Sequence, residues 1–321
     1  MAWIRLAAFA LGLAATVPAA LAADVEPWPR RTVRILLPLP GGTGTDLAAR
    51  LFADRLSQRW KQPVIVENRP GTDGIVGVTA FVNSRDDHTL LFSFAGPMTI
   101  NPYVHAKLPY DPALDLVPIA PAIDNFFAVA VTSSLGVASL PAFVQRARHE
   151  RGALNWTATA GLPQYIFAAL TKEAGLEMTF VGYRGLSEAL QDFGEGRVHV
   201  FATGLPSLLG QVQAGKANLL MVTNRNRSPL APDVPTANEV GYPQLSIDGV
   251  VGFYGWRDMP SGLRDRIAAD IRAVAADSAI AARLQGIGIV VGSGTPAELT
   301  AAIEEQRDKV AGMIRVTQAS H

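Results

Sequence analysis

Short apolar runs alternate with amphipathic stretches over the first third of the chain. Residues 32–37 (TVRILL) form a compact β-prone run that Pro38-Leu39-Pro40-Gly41-Gly42 ends. From Asp46 the apolar positions change period. Ala48, Phe52, Leu56 and Trp60 recur every four residues, Leu47 and Leu51 widen the stripe, and the spacing predicts a helix. Residues 63–67 (PVIVE) predict a second strand, 72–82 a short helix and 89–94 (TLLFSF) a third strand. Strands and helices alternating at these intervals predict a parallel sheet with helices on its faces.

A second series follows. Residues 118–123 and 126–132 read as strands, 140–150 as a helix, 154–159 as a strand and 164–174 as a helix. Next come a strand at 178–181, a helix at 187–193 and strands at 198–203 and 217–223. A proline-rich stretch, 229–243, holds a short helix at 236–240 and precedes a strand at 247–255. Helices at 261–277 and 296–314, around a strand at 287–291, close the chain. The runs at 126–132 and 247–255 suit strands that cross between two lobes, the tail returning to the first. The expected division is lobe I at 24–125 and 246–321, and lobe II at 126–245. Open α/β sheets bind ligands beyond the carboxyl ends of their strands, so two such lobes enclose a cleft.

Residues 1–23 follow a different pattern. Arg5 precedes an apolar run from Leu6 to Val17, and Ala20-Leu21-Ala22 offers a small-x-small cleavage site. That run is too short to span about 30 Å of hydrocarbon, so a signal peptide cleaved near Ala22/Ala23 and a periplasmic destination are expected. With 321 residues and 49% hydrophobic content, the chain can bury two cores. Lys plus Arg equals Asp plus Glu at 28 each, which leaves no basic footprint for nucleic acid. The absence of Cys excludes thiol nucleophiles and Cys-based metal sites.

Candidate chemistry concentrates in two loops. Pro40-Gly41-Gly42-Thr43-Gly44-Thr45-Asp46 joins the first strand to the first helix. Its glycines let the backbone approach a ligand, and the helix start offers unbonded N–H groups to an anion. Alternatively, Thr45 or Asp46 simply caps the helix. Thr157-Ala158-Thr159-Ala160-Gly161-Leu162-Pro163 occupies the matching place in the second series, either as a second oxygen-binding loop or as an ordinary connection. Gly210 to Ala217 departs from a phosphate loop at its last position, where the Mg²⁺-holding hydroxyl is missing. The five histidines lack ligand spacing, so neither a metal nor a cofactor is expected.

Several strings carry a family resemblance. WPRRTVRILLPLPGGTGTDLAAR (28–50), VENRPGTDGIVG (66–77), NPYVHAKLPYDPALDLVPI (101–119), GYRG (182–185) and APDVPTANEVGYP (231–243) closely resemble the Bug family. These are periplasmic receptors of tripartite tricarboxylate transporters, and the strings stand in the family's order. The resemblance implies an α/β periplasmic binding protein of Venus-flytrap, type 2-like form, each lobe a mixed sheet flanked by helices. It also implies binding of a small organic acid without catalysis, for delivery to membrane transporter subunits, by a monomer. First-lobe contacts would fall on Pro40, Gly41, Gly42, Thr43, Gly44, Thr45 and Asp46, with Ser93, Ala95 and Gly96. Second-lobe contacts would fall on Thr157, Thr159, Ala160, Gly161, Leu162, Tyr183, Thr203 and Gly204. Departures gather in the second lobe. Leu162-Pro163 and Tyr165 replace a hydroxyl residue and a His, Thr203-Gly204 replaces Asp-Asn, and His199 replaces an Asp. This less polar wall predicts a ligand with an apolar or aromatic portion. A ligand-sensing receptor, or an enzyme built on the same fold, are the alternative functions.

Overall fold

A computed structural model describes residues 28–318, so the expected signal peptide at 1–23 and its cleavage site lie outside the described residues. The chain opens with β1 (Val33–Leu37), α1 (Gly44–Trp60) and β2 (Val64–Asn68). After a 3-10 turn at Thr72–Gly74 come α2 (Ile75–Ser84), β3 (Thr89–Phe94), α3 (Gly96–Thr99), α4 (Asn101–Val104) and β4 (Val117–Asn125). A second series holds β5 (Phe127–Thr132), α5 (Leu140–His149), β6 (Asn155–Ala158), α6 (Leu162–Glu173) and β7 (Thr179–Phe180). It continues with α7 (Leu186–Gly194), β8 (Val200–Gly204), α8 (Leu205–Gln213) and β9 (Ala217–Val222). The tail comprises β10 (Gly249–Gly255), α9 (Ser261–Ala275), α10 (Ser278–Gln285), β11 (Val290–Val291) and α11 (Pro296–Gln318).

The strands make two mixed sheets, in the orders β11-β4-β10-β3-β1-β2 and β7-β6-β8-β5-β9. In the first, β1 pairs in parallel with β2 and β3, while β10 runs antiparallel to β3 and β4. In the second, β6 is parallel to β7 and β8, and β5 is antiparallel to β8 and β9. The two-lobed α/β form with a mixed sheet in each lobe is therefore as the sequence implies. Central parallel strands are covered on both faces, which explains why VRILL and TLLFSF read as continuous apolar runs. Phe52, Phe92 and Phe253 lock α1 onto its sheet, with Phe92 and Phe253 ring centres 4.7 Å apart.

Only Phe126 separates β4 from β5, so the chain passes directly from one sheet to the other. It returns through residues 223–248 into β10. The last helix, α11, serves both lobes. Leu299 and Ile303 join the core around Leu36 and Val78, whereas Val310, Met313 and Ile314 join the core around Phe167 and Leu170.

Four segments differ from the periodicity. The short helical segments α3 and α4, together with α10, are not expected from the pattern, while the helix expected at 236–240 is a single turn. There Thr236 Oγ1 accepts from the Glu239 amide and Glu239 accepts from the Thr236 amide, as at a helix start. Gly241, at φ +89°, then turns the chain away.

Candidate functional site: an apolar cleft between two helix starts

The loop after β1 is built around Asp46. Thr43 caps α1, its hydroxyl accepting from the Asp46 amide at 3.2 Å and donating to the Pro40 carbonyl. One Asp46 carboxylate oxygen accepts from the Gly42 amide at 2.9 Å and from Arg50 Nε at 3.1 Å; the other accepts from Asn68 Nδ2 at 2.9 Å. Burial alone would raise this carboxyl, but the bonds from Arg50, Gly42 and Asn68 outweigh it and hold the group below its usual range. Asp46 is thus committed to shaping the loop. The first-turn amides of Gly44 and Thr45 remain outside the intrahelical ladder, where a helix start carries partial positive charge.

Across the cleft, Gly161 precedes α6 with φ +87° and ψ −140°, a conformation closed to residues with a Cβ. Nothing lies within 4 Å of where a Cβ would sit, so backbone geometry and not space demands glycine. The turn aims the start of α6 at the first lobe. Pro163 occupies its first turn, where an amide would be unbonded anyway.

Between these helix starts lies a cavity of about 240 Å³. The first lobe contributes Leu39, Thr45, Phe94, Ala95, Gly96 and Ile100. The second contributes Phe127 and the run from Thr159 to Pro163. Asn125, Gly249 and Val250, where the crossing strands meet, and Gln306 from α11 complete the lining. No charged side chain lines it among the described residues. An adjoining cavity of about 430 Å³ shares Leu39, Phe94, Gly96, Ile100, Ala160 and Gly161, and extends to Pro40, residues 70–74 and Tyr165. Burial and then the charge of Asp73 push the Tyr165 phenol up, so it faces this space as a neutral donor.

The candidate residues separate into three groups. Thr45, Ala95, Gly96, Thr159, Ala160, Gly161 and Leu162 line the inner cavity, and Pro40 the adjoining one. Gly41, Gly42, Thr43, Gly44 and Asp46 shape the first loop without lining either cavity. The others line neither cavity. Ser93 is fully buried and donates to the Phe94 carbonyl. Thr157 is buried in β6 with its hydroxyl unpartnered, and Thr203 and Gly204 are paired along β8 with Ala128 and Phe127. Tyr183 donates to Asp192 at 2.7 Å, and burial together with that carboxylate pushes its phenol up to about 12.

Lining residues not anticipated from the sequence are Leu39, Ile100, Phe127, Gly249, Val250 and Gln306, along with Asn125 at the carboxyl end of β4; Phe94 lies within the run from Ser93 to Gly96 that the resemblance implies. Gln306 does carry a signal. Leu299, Ile303, Val310 and Met313 follow the buried stripe of α11, and Gln306 occupies a place in that stripe where an apolar residue is expected.

Other sites hold less. Asp86, Asp87 and His88 are the one group of ligand-type side chains close enough to share a metal among the described residues. Their atoms are engaged: Asp86 by Arg31 and Arg34, and His88 by Asp87 and the Arg30 amide. Gly210 to Ala217 runs from the end of α8 into β9, helix to strand, the wrong order for a phosphate cradle. Beside the cleft floor, burial and the neighbouring Asp248 push Asp124 up to about 6. No described helix is long and apolar enough to cross a membrane.

Residues 48–318 match the sequence profile of the tripartite tricarboxylate transporter family receptor, TctC. A UPF0065 protein of Bordetella bronchiseptica is 29% identical over 296 residues, covering 92% of this chain and 87% of that protein. Protein BugT of Bordetella pertussis is 28% identical over 235 residues, 72% of each chain. Among solved structures, R. palustris Rpa4515 with adipate superposes with a TM-score of 0.78 at 27% identity, covering 90% of this chain and 98% of that one.

Proposed function

The chain belongs to the tripartite tricarboxylate transporter receptor family, to which the Bug proteins belong, and we propose on that footing that it captures a small carboxylate-bearing solute in the inter-lobe cleft and delivers it to membrane transporter subunits. It does so in the periplasm after loss of residues 1–23, as a monomer, without a cofactor, nucleic acid or catalytic step. In this reading residues 24–125 and 246–321 make one lobe and 126–245 the other, with the second half of α11 reaching across to pack on the other lobe's core.

The observation that carries this reading is the pair of helix starts, α1 and α6, facing each other across a cavity lined by no lysine or arginine among the described residues. Such a site compensates a carboxylate with backbone N–H groups and helix dipoles. Each helix start contributes about 0.3–1 kcal/mol when exposed and up to about 2 kcal/mol when partly buried. Micromolar affinity needs roughly 8 kcal/mol, so the remainder must come from apolar burial at about 25 cal/mol per Å². Phe94, Ile100, Phe127, Leu162 and Val250 provide that surface, which favours a solute with an aromatic ring or a run of methylenes. The methylene chain of adipate, bound by the R. palustris relative, has this character.

Native mass spectrometry of the purified protein, followed by a thermal-shift panel of organic acids, tests the proposal. Reversible one-to-one binding of an acid with an apolar body is expected. Tightest binding to malate or citrate would remove the apolar-ligand element, and turnover of the bound acid would replace the receptor with an enzyme.

A further inference from the structure

Gln306 is only 5% exposed, yet its Oε1 has no hydrogen-bond partner among the described residues. A buried, unsatisfied carboxamide is costly, and it would be conspicuous anywhere in a core. Here it forms part of the inner cavity lining beside Asn125 and Val250. Its position continues the apolar stripe of α11, where Leu299, Ile303, Val310 and Met313 are buried.

The charges behind it are already paired. Arg225 binds Glu305 and, at 3.3 Å, Asp248; Lys309 binds Glu305 at 2.8 Å. These four side chains line a small recess that Gln306 also lines, leaving two cations matched to two anions. A second carboxylate of the solute would therefore meet no free countercharge at the cleft floor. A carboxamide offers one acceptor oxygen and two donor hydrogens whichever way it is turned, which matches a hydroxyl or another carboxamide.

Building on the carboxylate-capture reading above, we propose that Gln306 recognises an uncharged hydrogen-bonding end of the solute. The preferred ligands are then monocarboxylates carrying a distal carboxamide or hydroxyl, in place of dicarboxylates. The charged end lies at the helix starts of α1 and α6, and the neutral end at Gln306.

Calorimetric titration of the purified protein with matched acids tests this. Hexanoate, 6-hydroxyhexanoate, the monoamide of adipate and adipate itself form one series, and benzoates with the corresponding para substituents form another. In the wild type the amide or hydroxyl acid should bind about 3- to 10-fold tighter than its unsubstituted parent, the worth of one to two hydrogen bonds. Gln306→Leu should erase that gap, leave the parent acid bound at least as well, and keep or raise the urea midpoint by relieving the unsatisfied amide. Gln306→Met serves the same purpose if the branched side chain disturbs packing. A gap that survives both substitutions, or a wild type that prefers the dicarboxylate of each series, overturns the inference while leaving the receptor intact. Failure of every acid in both series to bind removes the carboxylate reading, and this inference with it.

Discussion

Replacing Asp46 tests whether the first loop is held by its own side chain. The group is 4% exposed and accepts three hydrogen bonds, spread over both carboxylate oxygens. A bond to a charged acceptor is worth about 1.5–3 kcal/mol, but the Arg50 partner is half exposed and counts for less. Asp46→Ala should therefore lose about 2–4 kcal/mol of unfolding free energy at pH 7, read from urea titration. Asp46→Asn is not a conservative control, because both oxygens accept. Whichever way the amide turns, its NH₂ faces a donor, so the Asn variant should lose nearly as much. Acid affects the two proteins differently. The folded carboxyl titrates below its ordinary value, so its contribution is complete above about pH 4 and fades as pH falls through the lower, folded value. The wild-type advantage over Asp46→Ala should shrink in that acid range alone. A variant within about 0.5 kcal/mol of wild type at pH 7, or an Asn variant that matches it, refutes the account.

Three further outcomes are expected. Gly161→Ala places a Cβ on a backbone at φ +87° with open space around it, so strain of about 1–3 kcal/mol should appear as weaker acid binding, and unchanged affinity counts against the role of this turn. Gly288→Ala, at φ +82°, sets a Cβ 2.8 Å from Pro206 of the other lobe; small-angle scattering should show a more open molecule, and an unaltered radius of gyration would contradict the contact. Asp124 is raised to about 6, so it binds more protons folded than unfolded between roughly pH 4 and 6, and stability falls as pH rises through that window. Asp124→Asn should then gain about 1–3 kcal/mol at pH 7 and progressively less towards pH 4; a gain independent of pH would exclude this titration as its source.

Much of the fold was legible because burial is periodic. The third strand, expected at 89–94, is β3 (Thr89–Phe94), since parallel strands buried on both faces write unbroken apolar runs. Helix α10 was not legible: only Ala276 and Asp277 separate it from α9, and Asp277, its cap, reads as the end of one helix over 261–277. At the first loop the cap expected at Thr45 or Asp46 is in fact Thr43; Asp46 braces the turn from inside the helix, and Thr45 lines the cavity. Ala95 and Gly96, implied by the family resemblance alone, line the cavity just past the end of β3. Which side chains at a strand end turn inward depends on pleat and register, so Ser93 and Thr203 could not be told apart from lining residues. Gln306 was hardest, because the walls that make it a cleft residue lie more than fifty positions away in sequence.

Helix α11 is anchored in one core through Leu299 and Ile303 and in the other through Val310, Met313 and Ile314. At 1.5 Å per residue its 23 residues form a strut of about 35 Å laid across the joint. Two crossing strands alone would form a free pivot. With the strut in place, the lobes can separate only by flexing it, by sliding the second lobe along it, or by peeling it from α6. Each of these deforms packed side chains and not merely solvated backbone, which makes the joint a stiff spring with a preferred angle. Gln306 lies partway along that strut, so whatever fills the cleft touches the element that sets the stiffness.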